Sequence, residues 1–303
     1  MKVTFWGVRG SIPAPGPETN RYGGNTSCLT VEAWNGKLLI LDAGTGMAVL
    51  GKHLMEGPFG KGEGRASVVL GHPHWDHIQG FPFFAPVFVP GNYFDFYGHS
   101  KAERRLENVL EGQMSPKFSP VQSLKNLGAS IRFHALETNE ALQIEEFRIT
   151  GIPVPHGVTT SLALRIEETH DCSQKGGTNS TTPSHDVSET KTIVYVSDVG
   201  YPEDVISDEI MEHYSGADLL IHDCTYSPED HEERRNRGFS SIYNAAEAAC
   251  GAKVKHLVMF HYDQDYSDEK VDVLRDRLRE KLDELGGSSI LLTPAAEGLS
   301  IEV

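Results

Sequence analysis

The sequence predicts a mixed α/β fold, in which strands and helices alternate within one domain spanning residues 1–303. Apolar segments with the length of strands recur along the chain, and segments with helical periodicity separate several of the later ones. No proline- or serine-rich linker divides the chain, and candidate ligand residues run from position 72 to position 261. We therefore expect one site built from both halves of one large domain.

Strands are predicted where a short apolar run, often rich in β-branched residues, ends at polar or turn residues. The chain opens with such a run at residues 1–6. The further predicted strands are 38–42, 67–70, 131–133, 147–154, 162–166, 193–197, 218–221, 256–260, 290–293 and 299–303.

Two helices are predicted in the C-terminal part of the chain. Ser267 can cap one of them, because two acidic residues follow it in the first turn and Gly286 stands just past the end. Its apolar face is formed by Val271, Leu274, Leu278, Leu282 and Leu285. Ser240 or Ser241 is expected to open the other helix, which covers residues 242–250 and is rich in alanine.

Residues 70–80 contain three histidines and an aspartate within six positions, namely His72, His74, Asp76 and His77. They follow a short apolar run that is typical of a buried strand. In an extended segment, side chains two positions apart point to the same side, so the first two imidazoles can bind one divalent ion. The next two ligands turn toward a second position. Chance rarely places four such residues so close together, and the cluster therefore predicts a metal site.

The spacing His-x-His-x-Asp-His resembles that of the metallo-β-lactamase superfamily. This resemblance implies a four-layer αββα sandwich with a hydrolytic centre of one or two metal ions at its edge. It also implies three further ligands, each directly after an apolar strand. The chain has a candidate for each: His156 to complete the first metal site, Asp198 to bridge the two metals, and His261 to complete the second.

Such a centre has a clear hydrolytic chemistry. Two divalent ions held close together lower the pKa of a shared water toward ~7, so that hydroxide forms at neutral pH. The ions also stabilise the charge that develops on an ester oxygen, and Asp76 could accept a proton from the attacking water. Histidine-rich ligation suits zinc, while manganese and iron also bind such donors. His74 stands where the related di-iron flavoproteins carry glutamate, which favours hydrolysis over redox chemistry.

Two further motifs resemble the phosphodiesterase-like branch of this superfamily, which includes bacterial cyclic phosphodiesterases and RNase Z. One is the glycine-rich opening at 5–13 and 21–28, and the other is Leu-Leu-Ile-His-Asp-Cys-Thr-Tyr at 219–226. The resemblance implies a phosphodiesterase that cleaves a small cyclic or nucleotide-like diester. The alternatives are a lactone or carboxylic ester hydrolase, RNase Z-like RNA processing, and a non-catalytic metal-binding sensor.

The same motifs suggest roles for residues outside the ligand set. Arg9 or Asn25 could donate hydrogen bonds to a phosphate oxygen, although Arg9 could equally pair with a carboxylate and fasten the N-terminal hairpin. Asp42 matches an acidic motif that supports the ligand loop through hydrogen bonds. Asp223 is expected to orient a ligand or a proton donor, and His222 is a candidate proton donor.

One position departs from the branch. RNase Z-like members carry Gly-His-Ser-Thr, with a histidine thought to protonate the leaving group, where this chain has Gly-Phe-Ser-Ser at 238–241. Phe239 cannot donate a proton. Either His222, His231 or Tyr262 serves instead, or the leaving group needs less help, or the activity has drifted. This departure argues against RNase Z activity.

Composition and charge favour a small anionic ester as the substrate. The net charge of −16 makes RNA or DNA an unlikely partner, while the metals would attract a small anion. No apolar run approaches membrane-spanning length, and the N-terminus lacks signal-peptide features, so we expect a cytoplasmic protein without membrane contact. Related enzymes often form homodimers, so the resemblance allows a homodimer here, although no residue pattern in this sequence determines the oligomeric state.

The cysteines and two inserts complete the sequence-based expectations. The cysteines lack disulfide or metal-site spacing and are expected to be reduced; they are Cys28, Cys172, Cys224 and Cys250. Residues 81–127 are rich in aromatic residues and proline, so they either wall the pocket or form core packing, and Lys101, Arg104 and Arg105 would lie on a short helix there. Residues 168–191 are polar, and we expect a solvated loop without function.

Overall fold

The computed structural model describes residues 1–99, 106–117, 119, 121, 123–171 and 188–303. Within those residues the strands form two seven-stranded sheets. In spatial order, the first sheet contains β14 (Ser300–Glu302), β1 (Lys2–Gly7), β2 (Cys28–Glu32), β3 (Leu38–Leu41), β4 (Arg65–Val69), β5 (Tyr93–His99) and β6 (Ser130–Leu136). The second contains β13 (Leu291–Pro294), β12 (His256–Phe260), β11 (Leu219–Asp223), β10 (Ser188–Val196), β9 (Thr159–Asp171), β8 (Phe147–His156) and β7 (Ala141–Ile144).

Alternation along each strand explains why the sheets stack. In β3, Leu39 and Leu41 belong to the same buried core as second-sheet residues such as Leu164. Ile40, and with it the half-buried Leu38, packs into a separate core on the opposite face. Full burial of one such side chain stabilises the fold by about 1.5–3 kcal/mol. The first sheet therefore has a layer against it on each face.

Helices cover the outer faces of both sheets. They are α1 (Gly46–Leu54), α2 (Leu106–Gln113), α3 (Asp208–Tyr214), α4 (Pro228–Arg234), α5 (Ile242–Gly251) and α6 (Asp268–Glu284). Met47 and Leu50 of α1 and Leu110 of α2 are buried in the outer core of the first sheet. Helices α3, α5 and α6 contact strands of the second sheet. The predicted four-layer αββα arrangement is confirmed.

The two predicted helices begin at the expected capping residues. The Ser267 hydroxyl accepts a hydrogen bond from the backbone N–H of Lys270, and Gly286 follows α6 with a φ of 81°. Of the two serines considered for α5, Ser241 is the cap, and it forms a reciprocal capping box with Asn244.

The directions of the strands bring several strand ends to one edge. Strands β3, β4 and β5 run parallel, and so do β10, β11, β12 and β13. Strand β8 is antiparallel to β9, which is antiparallel to β10, so β8 and β10 share a direction. The carboxyl ends of β8, β10, β11 and β12 therefore lie along one edge of the second sheet.

The aromatic insert at 81–127 contains a strand that the sequence analysis did not predict. Strand β5 lies within it, and the buried rings of Phe94 and Phe96 alternate with half-buried residues. These two rings pack into the outer core of the first sheet, so core packing accounts for part of the insert. The proposed helical positions Lys101, Arg104 and Arg105 lie outside the described residues.

The polar interval at 168–191 is not a loop throughout. Its two ends continue β9 and β10, which pair in antiparallel register as far as Asp171 and Ser188. Residues 172–187, which include Cys172, lie outside the described part of the chain. The other cysteines are free thiols.

Among the described residues, no helix combines the length and the apolar character needed to cross a membrane.

Candidate metal centre

The histidine cassette occupies the loop after β4 and divides its ligands into two groups. A short 3-10 helix at Trp75–His77 turns the chain, and the backbone N–H of His77 donates to the carbonyl of His74 at 3.0 Å. On one side of this turn, His72 and His74 lie close to His156 of the second sheet. On the other side, Asp76 and His77 lie close to His261, which directly follows a strand of the same sheet. The local turn thus separates two candidate ion positions.

The first group consists of His72, His74 and His156. Nδ1 of His156 donates to the carbonyl of Gly238 at 2.7 Å, which leaves its Nε2 to face the site. That Nε2 lies 3.1 Å from Nδ1 of His74. Two ligands about 2 Å from one zinc ion in a tetrahedral arrangement lie about 3.3 Å apart, so this spacing suits a shared ion.

The second group consists of Asp76, His77 and His261. Nε2 of each histidine lies 3.2 Å from Oδ2 of Asp76. Asp198 lies between the two groups, because its carboxylate is 3.2 Å from Nε2 of His72, 2.8 Å from Nε2 of His77 and 2.9 Å from Nε2 of His261. Asp198 can therefore contact an ion in either position.

These ligand atoms have the character expected for metal binding. Within the described residues, Nε2 of His72, Nε2 of His77 and both carboxylate oxygens of Asp198 are buried without a partner in hydrogen-bonding geometry. Buried polar atoms in native proteins are normally paired. Because these atoms lie close together, they are placed to bind a common cation once the imidazoles that hold a proton release it. Imidazole and carboxylate donors fit divalent ions such as zinc.

Asp42 fixes the orientation of His77. Its carboxylate accepts hydrogen bonds from Nδ1 of His77 at 2.7 Å, the hydroxyl of Tyr195 at 2.6 Å and the backbone N–H of Gly71 at 3.0 Å. Protonation of Nδ1 leaves the lone pair of Nε2 directed at the site. Asp42 also anchors the start of the cassette through the N–H of Gly71.

A threonine links Asp223 to His261. Nδ1 of His261 lies 3.1 Å from Oγ1 of Thr225, which donates to Oδ1 of Asp223 at 2.6 Å. Oδ2 of Asp223 accepts from the backbone N–H groups of Val199 and Ser240, each at 3.1 Å. Burial raises the pKa of Asp223 to about 6, so it is ionised at neutral pH. Asp223 thus positions His261 and two loops. Sequence reasoning missed Thr225, although it lies in the quoted motif at 219–226.

Two residues of the site hold the left-handed backbone conformation. Asp42 and His261, each directly after a strand, have φ values of 60° and 61°. Such a conformation costs of order 1–3 kcal/mol in a residue other than glycine, and the hydrogen bonds just described offset that cost. Gly10 packs against the same imidazole, since a Cβ there would lie 2.4 Å from Cε1 of His261.

The charges of the ligands are coupled. Burial lowers the pKa of His261, but the Asp198 and Asp76 carboxylates outweigh this effect and raise it to about 10. A similar balance raises the pKa of His77. Burial, reinforced by the neighbouring His77, lowers the pKa of His72. A cation that binds here must displace protons from the raised histidines, which couples binding to pH.

A cavity of about 350 Å³ opens over the ligands. It is lined by Ser11, Pro73, His74, Trp75, Asp76, His156, Asp198 and Phe239. The backbone N–H of Ser11 donates to Oδ2 of Asp76 at 2.8 Å. The ring of Phe239 stands 5.1 Å from that of His156 and 5.6 Å from that of His261, measured between centroids. The cavity thus reaches both ligand groups and has one apolar wall.

Arg9 has a structural role, which corrects its assignment as a phosphate-binding residue. The side chain is fully buried and stands apart from the residues that line the cavity. Nε donates to the carbonyl of Gly23 at 2.8 Å, and Nη1 donates to the carbonyls of Tyr266 at 2.6 Å and Asp263 at 3.2 Å. The Asp268 carboxylate is 3.9 Å from Nη2. Arg9 therefore fastens the N-terminal segment, mainly through carbonyls.

Asn25 likewise binds within the protein and not toward a substrate. Its backbone N–H and its side-chain amide donate to the two carboxylate oxygens of Glu297, at 2.6 Å and 2.8 Å. These bonds tie the N-terminal segment to the C-terminal one. The interpretation of Asn25 as a phosphate donor is corrected accordingly.

The three candidate proton donors also lie away from the described lining of the cavity. His222 is buried, and its Nε2 pairs with the hydroxyl of Tyr201 at 2.8 Å. Burial lowers the pKa of His222 to about 4. The ring is therefore a neutral imidazole at neutral pH and does not act as an acid there. The hydroxyl of Tyr262 donates to backbone carbonyls, and His231 faces Asp204 at 3.7 Å. None of these residues is positioned to protonate a leaving group in this cavity.

Comparisons with known proteins agree with this geometry. The family model described as "Beta-lactamase superfamily domain" matches residues 38–262. A ribonuclease Z from Bacteroides thetaiotaomicron is 26% identical over 238 residues, which are 67% of this chain and 71% of that protein.

Solved structures have the same fold. The metallo-β-lactamase fold protein YhfI from Bacillus subtilis aligns with a TM-score of 0.67 and 22% identity, over 100% of this chain and 99% of that one. A diphosphatase from the PhnP family aligns with a TM-score of 0.62 and 19% identity, over 100% of this chain and 97% of that one. At these identities the likeness shows the fold alone.

Replacing Thr225 with valine should weaken metal binding. Thr225→Val removes the hydroxyl that joins His261 to Asp223 while keeping a similar shape. Loss of such an outer partner typically lowers metal affinity about 10–100-fold. Competition against a chromophoric chelator would measure the change, with the exposed Thr160→Val as the matched control. Equal affinities in the two variants would contradict the positioning role of Thr225.

Metal affinity should rise with pH between neutral pH and about 10. Because the folded, metal-free protein holds a proton on His261 up to a pKa of about 10, binding releases that proton over this range. Each proton released raises the apparent affinity about tenfold per pH unit. Chelator competition at pH 7, 8 and 9, corrected for protonation of the chelator, would test this. An affinity that stays constant with pH would refute it.

Proposed function

The chain belongs to the beta-lactamase superfamily and is a metal-dependent hydrolase, and from this premise we propose that it is a phosphodiesterase. The proposed substrate is a small cyclic or nucleotide-like phosphodiester. One observation carries the proposal: residues that follow strands of both sheets form two histidine-containing ligand groups, with Asp198 between them, beneath one open cavity. The cavity of about 350 Å³ lies at the small end of the range for ligand sites, which favours a small substrate.

We assign the ligands to two divalent ions, with zinc as the proposed metal. The first ion would be held by His72, His74 and His156, the second by Asp76, His77 and His261, and Asp198 would contact both. When bound, such ions supply Lewis acidity and attract an anionic phosphoryl group. The protein contributes preorganisation, because hydrogen bonds to Asp42 and Thr225 already fix two of the rings.

The residues that line the cavity determine whether the leaving group can be protonated by the protein. Among the described lining residues, every acidic or imidazole group is an assigned ligand, and Phe239 presents only a ring. Asp76 is further restrained by the N–H of Ser11. The leaving oxygen therefore departs as an anion or takes a proton from solvent. We infer that the enzyme prefers esters with acidic leaving groups.

RNA processing is the second candidate function, because a relative that matches most of the chain carries the name ribonuclease Z. This relationship weakens the expectation that nucleic acid is not a substrate. The net charge of −16 and the phenylalanine at position 239 still oppose it. Cleavage of a transfer RNA precursor with a 3′ extension would separate this candidate from small-diester hydrolysis.

The protein should hydrolyse bis(p-nitrophenyl) phosphate in a metal-dependent manner. We expect turnover to be lost after chelation, restored by zinc or manganese, and reduced at least about 100-fold in His74→Ala, because that variant loses a proposed ligand. His53→Ala, an exposed histidine on α1, is the matched control and should retain activity. Metal bound at the site without turnover would contradict the proposal and direct attention to lactones, then to a sensor role.

Replacing Phe239 with histidine should help poor leaving groups selectively. Phe239→His places a titratable group on the cavity wall where none is now available, and we expect about a tenfold gain for diesters with alkoxide leaving groups. Bis(p-nitrophenyl) phosphate, whose leaving group needs no proton, should change little. The ratio of kcat/KM for cyclic AMP and the nitrophenyl ester would report the effect. Phe239→Leu controls for loss of the ring, and an equal change with both esters would exclude proton donation.

A further inference from the structure

A second cavity of about 410 Å³ adjoins the metal cavity. The two share Pro73 and Trp75, and the second continues between residues 78–83 and α2. We call this second cavity the lateral groove. Because Trp75 stands between the ligands His74 and Asp76 in the cassette, the groove begins directly beside the proposed metal positions. Any group attached to a phosphoryl group in the metal cavity can extend into it.

Among the described residues that line the lateral groove, two are aromatic and largely exposed. The exposed fraction is 80% for Trp75 and 63% for Phe83. Large exposed aromatic side chains that share one concave surface are typical of ligand sites. Their flat faces favour a planar partner, because base–aromatic stacking contributes to nucleotide binding for every type of base.

Gln113, which also lines the groove, carries an amide donor that finds no acceptor among the described residues. Nε2 of Gln113, on α2, is buried and has no hydrogen-bond partner within the described part of the chain. A buried donor of this kind is unfavourable until a ligand supplies an acceptor. Asn108, five residues earlier on the same helix, also lines the groove. An alkyl chain would leave the Gln113 donor unpaired, whereas a ring carbonyl would satisfy it.

We propose that the lateral groove binds the nucleobase of a nucleotide-like phosphodiester. The base stacks against Trp75 and Phe83, a ring carbonyl accepts from Gln113, and the phosphoryl group occupies the metal cavity. A neutral base also suits a protein whose net charge is −16, since only the phosphate needs the cationic centre. This inference rests on the proposed function and specifies its substrate class.

A pair of esters that share one scissile bond tests the proposal. Thymidine 5′-(p-nitrophenyl phosphate) and methyl p-nitrophenyl phosphate both release nitrophenolate and differ in the group that stays on phosphorus. With zinc-loaded protein, we expect kcat/KM to be about tenfold or more higher for the thymidine ester, mainly through a lower KM. The ratio of the two kcat/KM values measures the contribution of the groove to binding. Effects on the bond-breaking step are common to both esters and cancel in this ratio.

Two variants alter the groove in opposite ways. Phe83→Ala removes a stacking face. Gly112→Leu fills space, because a Cβ at this position meets no atom within 4 Å and the residue lines the groove. Leucine also favours a helix more than glycine does, so Gly112→Leu is expected to remain folded. Each variant should lower the thymidine-to-methyl ratio about tenfold. Phe88→Ala, which alters an exposed phenylalanine that is not among the described lining residues of the groove, is the matched control.

The outcomes separate this inference from the proposed function. A ratio near one in the wild type, or a ratio that Phe83→Ala and Gly112→Leu leave unchanged, overturns the base site. If neither ester is hydrolysed, ligand-observed NMR with thymidine alone decides: binding that Gly112→Leu abolishes supports the base site and rejects the phosphodiesterase. Absence of both hydrolysis and thymidine binding rejects both.

Discussion

The buried carboxylate of Asp198 is the group on which the rest of the site depends. It lies within about 3 Å of Nε2 in His72, His77 and His261, and among the described residues neither oxygen has a hydrogen-bond partner. A buried charge without compensation costs several kcal/mol, so this position is stable only with cations or protonated imidazoles around it. Burial raises the pKa of Asp198, but the surrounding imidazoles outweigh it and keep the carboxyl ionised.

The fold class and the strand-end positions of the candidate ligand residues could be predicted from local sequence patterns. A short apolar run followed by His or Asp is enough to place a polar side chain at a strand end, and parallel strands bring such ends to one edge. His156, Asp198 and His261 all lie at this edge. The caps of α5 and α6 were predictable for the same reason, since a capping serine acts on the next few residues.

The partners of the polar residues outside the ligand set could not be read from local patterns. Arg9 and Asn25 lie in a glycine-rich motif, but apart from the carbonyl of Gly23 their side-chain partners come from residues 263–268 and from Glu297, more than 250 positions away in sequence. The exposure of a side chain also could not be predicted locally. Trp75 is an apolar residue between two candidate ligands, and only the tertiary structure shows that its ring lies at the surface. Strand β5 was missed because its aromatic alternation lies within a proline-rich stretch.

The ligands come from different layers of the sandwich, since the cassette follows β4 of the first sheet and the other ligands follow strands of the second. An ion bound by residues of both layers would therefore cross-link the two sheets at their open edge. By mass action, a ligand that binds only the folded state at a hundred times its Kd adds about 2.7 kcal/mol of stability. We therefore expect the melting temperature and protease resistance of this protein to rise with the free metal concentration, so that a bound metal would stabilise the fold as well as serve as a cofactor.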